Sequence, residues 1–183
     1  MRLVLDEKDS ARGLRRLAGE IVERHRGTED LVIVGIRRGG IEVARELLRW
    51  LKELERLDLP LGTVDITLYR DDAATALPNP RIGPSDIPVP VDGKVVVLVD
   101  DVVYTGRTVR AAIDAVMDYG RPRRIELAAI IDRGGRELPL QPDYIVRTVE
   151  VGLDERVDVL SGPKGLRAVV QPEGSPSIPP PAP

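Results

Sequence analysis

The sequence predicts an α/β fold, a mostly parallel sheet flanked by helices on both faces, and three observations carry that prediction. Residues 31–36 (LVIVGI) and 95–99 (VVVLV) are continuous, apolar and β-branched, the pattern of strands buried on both faces. Segments with a 3.6-residue apolar period alternate with such runs, as βαβ units require. Chemically unusual stretches at 37–40, 100–108 and 132–135 each follow a strand, and open α/β sheets bind ligands beyond those ends.

Taken in order, residues 9–26 place Leu14, Leu17, Ala18, Ile21 and Val22 on one helical face, with Asp9 or Ser10 as cap and Gly27 as stop. The strand at 31–36 follows, then a helix at 41–56 carrying Val43, Ala44, Leu47, Leu48, Leu51 and Leu54 on one side. TVDITLY (63–69) alternates and reads as a strand ending at Arg70, Asp71 and Asp72. From 73 to 94 five prolines and no helical period predict a long loop, functional, disordered or both. The strand at 95–99 runs into Asp100 and Asp101, and a helix to about Tyr119 closes at Gly120 and Pro122. A strand at 124–131 and short strands near 143–150, 156–160 and 167–170 complete one domain, 1–170. Six prolines in 171–183 predict a disordered or polyproline-like tail.

Composition excludes several classes. The 183 residues contain no Cys and one His, which removes disulfides, thiol nucleophiles and zinc fingers and leaves no basis for a His-based triad. Aromatics at 3%, with no Phe, argue against a nucleic-acid platform of stacked rings. No apolar run approaches the roughly 20 residues of a membrane span, and the start MRLVLDEKD is too short and acidic for a signal peptide, so a cytoplasmic location is expected.

The string VVLVDDVVYTGRT (96–108) carries the most chemistry. Thr105, Gly106, Arg107 and Thr108 put small and hydroxyl-bearing residues where a strand becomes a helix, so free backbone N–H groups and hydroxyls can wrap a phosphate. Asp100 and Asp101 lie just upstream, and carboxylates suit the 2′ and 3′ hydroxyls of a ribose phosphate. The plain alternative is a strand end followed by a helix cap. At 35–40, two arginines among glycines offer amides and guanidinium forks to a diphosphate, or form a solvated turn before a helix.

The string resembles the phosphoribosyl pyrophosphate motif of type I phosphoribosyltransferases, a buried strand running into two acidic residues and a T-G-x-T loop. With DITLYRDD before it and RPRRIELAAIIDRGGRELP after it, the chain from Leu5 to about Arg147 is similar more narrowly to the PyrR family, pyrimidine operon attenuators that are also uracil phosphoribosyltransferases. The resemblance implies the type I phosphoribosyltransferase fold, with a small hood of short strands and a flexible active-site loop at about 70–94. It implies catalytic roles for Asp100, Asp101 and Arg70, and substrate contacts from Arg37, Arg38, Gly39, Val102, Val103, Tyr104, Thr105, Gly106, Arg107, Thr108 and Arg133. Arg81 is a further candidate for the diphosphate. The implied substrates are uracil and phosphoribosyl pyrophosphate, the product UMP, and the cofactor Mg²⁺, held through the substrate rather than by direct protein ligands. A homodimer or higher oligomer is also implied.

The family's second function is UMP-responsive binding of pyrimidine leader mRNA, for which the resemblance points to Arg15, Arg16, Arg136 and Arg147. The chain departs from the family here: Gly19 and Gly135 stand where relatives often carry His, and Gln141 replaces a usual Arg. Gly39 stands where relatives have Arg, shifting the charge of the pyrophosphate loop by one position. A bifunctional enzyme and attenuator is the expected reading. A regulator with weak catalysis and a transferase without RNA regulation stand as alternatives.

Overall fold

A computed structural model of the chain describes residues 1–70 and 83–176. In chain order the elements are β1 (Arg2–Leu5), α1 (Glu7–His25), β2 (Leu31–Ile36), α2 (Gly39–Glu55), β3 (Leu61–Val64), β4 (Val95–Val103), α3 (Arg107–Met117), β5 (Arg124–Asp132), β6 (Tyr144–Thr148), β7 (Glu155–Gly162) and β8 (Gly165–Pro172). The main sheet is parallel throughout, in the order β3-β2-β4-β5-β6. A second, antiparallel sheet, β1-β8-β7, forms the hood.

Strand alternation divides the interior into two cores. Leu31, Ile33, Val95, Val97 and Val99 face α1 and α2, while Val32, Val34, Ile36, Val96 and Leu98 face α3. The predicted apolar runs are therefore continuous because both faces of each strand are covered. In α1, Leu14, Leu17 and Ile21 are fully buried, each contributing about 1.5–3 kcal/mol by area.

This topology places the site. From β2 the chain passes through α2 on one face to β3, whereas from β4 it passes through α3 on the opposite face to β5. The connections after β2 and β4, neighbours in the sheet, therefore diverge and open a crevice at the strand ends. β2 and β4 pair as far as Gly35 and Val99, while β4 continues beside β5 to Val103. Gly40 lets the first turn of α2 sit on that end of β4: a Cβ there would lie 2.2 Å from the Val99 carbonyl oxygen.

Several expectations need correction. α1 begins at Glu7 and its cap is Asp6, whose carboxylate accepts from the Asp9 N–H at 2.7 Å, rather than Asp9 or Ser10. β1 has no counterpart in the sequence reading; it exists only by pairing with β8. The strand expected at 63–69 is β3 and ends at Val64, because the Asp65 carboxylate captures the Thr67 N–H at 2.9 Å and turns the chain out of the sheet. Of the loop expected at 70–94, residues 71–82, with Pro78, Pro80 and Arg81, lie outside the described residues. Residues 83–94 are anchored, since Asp86 bridges to Thr63 and Val91 is fully buried. Strand β8 carries the ordered chain through Pro172 with Gln171 buried, so the expected tail boundary at 171 falls too early. Residues 177–183 lie outside the described residues. No helix among the described residues is long and apolar enough to cross a membrane.

Candidate active site

β4 delivers Asp100 and Asp101 to the crevice. Asp100 is buried, and burial together with the neighbouring Asp101 carboxylate holds its pKa well above the usual carboxylate range. Burial also raises Asp101, and the Asp158 charge on hood strand β7 pushes in the same direction. Backbone amides fix both carboxylates, with the Asp101 N–H donating to Asp100 Oδ1 and the Val102 N–H to Asp101 Oδ1, each at 2.9 Å. Two acceptors are thus oriented in a site where full ionisation is unfavourable until positive charge or hydroxyl donors arrive.

The turn after β4 is shaped for an anion. Gly106 takes φ 91° and starts α3 without a side-chain cap. The Arg107 N–H meets the Thr105 hydroxyl at 3.3 Å, while the next amides of the first turn have no intrahelical acceptor. From behind, the Glu137 and Leu138 amides hold the Thr105 carbonyl at 2.9 and 3.2 Å. Arg107 and Thr108 are exposed, and Arg107 pairs with Glu137 at 2.6 Å.

Across the crevice, the connection after β2 carries Arg37 and Arg38, joined by a cis peptide bond. Arg37 donates from Nη2 to the Pro84 carbonyl at 3.1 Å and lies 3.8 Å from Asp65. Arg38 is exposed, its side chain without an ion pair or hydrogen bond among the described residues. Gly39 lies against the Asp101 carboxylate, which ties the two sides together.

A third wall comes from the end of β5. The Arg133 guanidinium stacks 4.0 Å over the Tyr104 ring and donates to the Gly152 carbonyl at 3.3 Å. Its Nε is buried without a hydrogen-bond partner among the described residues. Arg70 is exposed one residue beyond Tyr69, whose carbonyl accepts from Arg110 on α3.

Other predicted site residues take different places. Val103 is buried in the α3-side core and gives its carbonyl to the Arg133 N–H, and the Val102 amide donates to Asp101. Arg136 is held by internal contacts. With its side chain 11% exposed, it pairs with Asp132 at 2.7 Å and donates to the carbonyls of Leu140 and Tyr104 at 2.9 and 2.7 Å. Arg16 donates to the Ile145 and Val146 carbonyls of β6, and Arg147 to that of Val4, so both also join elements. Asp65 and Asp158 were not singled out from sequence. The D-I-T spacing is a turn signal that could have flagged Asp65; Asp158 has no local signal.

Two carboxylates awaiting hydroxyl donors, next to amides awaiting a phosphate, describe a protein that handles a phosphorylated sugar. That is the class of the phosphoribosyltransferases, and residues 3–160 match the phosphoribosyl transferase domain family. "Bifunctional protein PyrR" of Thermoanaerobacter sp. (strain X514) is 51% identical over 157 residues, 86% of this chain and 88% of that relative. The protein of the same name from Geobacter sulfurreducens is 51% identical over 158 residues, 86% and 89% of the two chains. The chain belongs to the PyrR family of phosphoribosyltransferases. The fold is also that of the hypoxanthine-guanine phosphoribosyltransferase of Bacillus anthracis, with TM-score 0.66 at 19% identity over 92% of this chain and 98% of that one. The Trypanosoma cruzi hypoxanthine phosphoribosyltransferase gives TM-score 0.69 at 16% identity over 94% and 98%.

Proposed function

We propose that the chain transfers the ribose 5-phosphate of phosphoribosyl pyrophosphate to uracil, giving UMP and pyrophosphate, and binds pyrimidine leader RNA in response to UMP. The observation that carries the transferase half is the single β4–turn–α3 unit, which presents the buried Asp100–Asp101 pair and an uncapped helix N-terminus to one crevice.

In this reading uracil N1 attacks ribose C1 as the bond to pyrophosphate breaks. The first-turn amides of α3, with Thr105 and Thr108, hold the 5-phosphate, and Asp100 and Asp101 accept from the ribose hydroxyls. Arg37 and Arg38 take the diphosphate, with Arg70 approaching from the loop root. Tyr104 and Arg133 wall the nucleobase side. No nucleophile–base pair is required, because positioning and neutralisation of the leaving charge supply the catalysis. Among the described residues no group of three or more acidic or His side chains forms a metal cage, while the Asp100–Asp101 carboxylates are hard oxygen donors suited to Mg²⁺ held through water and substrate. When bound, Mg²⁺ neutralises the pyrophosphate charge. The family resemblance further supports a cytoplasmic homodimer or higher oligomer.

Incubation with uracil, phosphoribosyl pyrophosphate and Mg²⁺ is expected to yield UMP; no turnover would sink the enzymatic half. For the regulatory half, a gel shift with the organism's pyrimidine leader RNA should tighten with UMP. Binding no stronger than to a scrambled hairpin would remove it. A transferase without RNA regulation is the second reading, favoured by the internal commitment of Arg136 and by Gly135, whose φ of 72° and closeness to the Tyr104 ring disfavour a side chain there.

A further inference from the structure

We propose that Asp65 is the positioning residue of the diphosphate subsite, holding Arg37 in place before the leaving group arrives; this rests on the transferase reading above. Asp65 is 8% exposed, at the point where the chain leaves β3. Its carboxylate accepts from the Thr67 N–H at 2.9 Å, the Thr67 hydroxyl and the Gly83 N–H at 2.7 Å, and it faces Arg37 Nε at 3.8 Å. The Asp65 N–H donates to Ser85 Oγ at 2.8 Å. Both ends of the 67–83 stretch are therefore fixed on one residue. The Pro84 carbonyl, 3.1 Å from Arg37 Nη2, holds the other side of the guanidinium.

The packing admits no extra atom. A Cβ on Gly83 would lie 2.8 Å from both Arg37 Nε and Asp65 Oδ2. Burial alone would push the Asp65 carboxyl up, but the Thr67 and Gly83 donors and the Arg37 charge outweigh it and hold the pKa below the ordinary value. The residue thus stays ionised opposite Arg37. At 3.8 Å the pair is electrostatic without a hydrogen bond, and Arg37 Nε is buried with no hydrogen-bond partner among the described residues. Nε is thus enclosed on the Asp65 side, and the guanidinium is oriented by that charge together with the Pro84 carbonyl. A flexible Arg otherwise loses rotamer freedom on binding, so orienting it beforehand strengthens diphosphate binding with no new contact to the ligand.

The test compares Asp65→Asn, Arg37→Gln and the double variant, with phosphoribosyl pyrophosphate and uracil varied separately and inorganic pyrophosphate binding measured by calorimetry. Asp65→Asn is expected to raise the KM for phosphoribosyl pyrophosphate and the pyrophosphate Kd roughly tenfold, leaving kcat and the uracil KM within about twofold. The double variant should bind pyrophosphate no more weakly than Arg37→Gln alone. Unchanged pyrophosphate binding in Asp65→Asn, independent losses in the double variant, or a uniform fall in kcat and both KM values would overturn the assignment. If Asp65→Asn does not fold, Thr67→Val removes one donor and should raise only the phosphoribosyl pyrophosphate KM, about threefold; no change there overturns it equally. Wild-type protein that neither turns over phosphoribosyl pyrophosphate nor binds pyrophosphate sinks the transferase reading and this one together. Normal wild-type binding with an indifferent Asp65→Asn sinks only this one.

Discussion

Gly39 abuts Asp101 so closely that a Cβ at position 39 would stand 2.0 Å from Asp101 Oδ2 and 2.4 Å from its Cγ. In sequence, Gly39 looks like a lost arginine. In space it is what allows the second carboxylate of β4 to rest against the first turn of α2. An arginine at this position therefore requires Asp101 to sit elsewhere, while the neighbouring Arg38 is exposed. Gly39→Ala should displace Asp101 and lower kcat/KM for phosphoribosyl pyrophosphate about ten- to hundredfold, with little change in melting temperature. Steady-state kinetics of the variant against wild type checks this; unchanged kcat/KM would show that the carboxylate's position does not matter.

Two buried carboxylates should give opposite pH signatures. Asp100 has a raised pKa, so the folded chain retains a proton that the unfolded chain has released, and ionising it in the fold costs stability as pH rises. Asp100→Asn is therefore expected to abolish UMP formation yet melt higher than wild type at neutral pH, an advantage that fades as pH falls to the unfolded carboxylate range of about 4. Glu126 behaves inversely. Burial pushes it up, but the Tyr144 hydroxyl at 2.6 Å, His25 at 2.9 Å and Arg24 hold it below its ordinary value. Its stabilisation is present above the unfolded carboxylate range and is lost as pH falls through the folded value. Glu126→Gln should melt lower at neutral pH and converge on wild type in acid. Calorimetric melts from about pH 3.5 to 8 separate the two slopes, and parallel shifts across that range would contradict both.

The Tyr104–Arg133 stack makes a prediction about the nucleobase side. The Arg133 guanidinium lies 4.0 Å from the ring centroid, and Gly135 packs on the ring's edge. Tyr104→Ala frees Arg133 and should raise the uracil KM roughly threefold to tenfold, a loss in the range of a cation–π contact, while the phosphoribosyl pyrophosphate KM stays put. Gly135→Ala meets both a positive φ and the ring, so it should cost about 1–2 kcal/mol in stability and shift the uracil KM in the same direction. A phosphoribosyl pyrophosphate effect as large as the uracil effect would place this pair elsewhere in the site.

What was legible in the sequence follows from how locally each feature is determined. Asp100 to Thr108 form one strand–turn–helix unit, so backbone geometry alone brings carboxylates and amides together, and a string of neighbours reveals it. The central strands β2, β4 and β5 were legible because two cores cover them and leave no polar face to confuse the pattern, whereas the bounds of edge strand β3 were not. β1 was not, since four residues running from exposed Arg2 to buried Leu5 become a strand only through β8, more than 160 positions later. Asp65 alternates correctly for a strand, and only the approach of Gly83 and Ser85 makes it a hub. Arg136 stood among the candidate RNA cations because three of its acceptors are backbone carbonyls, which sequence cannot assign.

That reassignment separates the two functions experimentally. Arg15 is exposed on α1, 5.6 Å over the Trp50 ring, and has no ion pair among the described residues, so its charge is available to a phosphate. Arg15→Glu should weaken leader-RNA binding and reduce the salt slope by about one, with melting temperature and UMP formation unchanged. Arg136→Ala should behave differently, because it strands the half-buried Asp132 and releases the Tyr104 carbonyl. Losing one partner of such an enclosed pair costs about 3–5 kcal/mol, so this variant should melt several degrees lower and lose base binding and RNA binding together. Gel shifts, melts and uracil kinetics on the two variants side by side decide the matter. If Arg136→Ala kept its melting temperature and lost only RNA affinity, its guanidinium would be an RNA contact after all, and the brace would be the wrong reading.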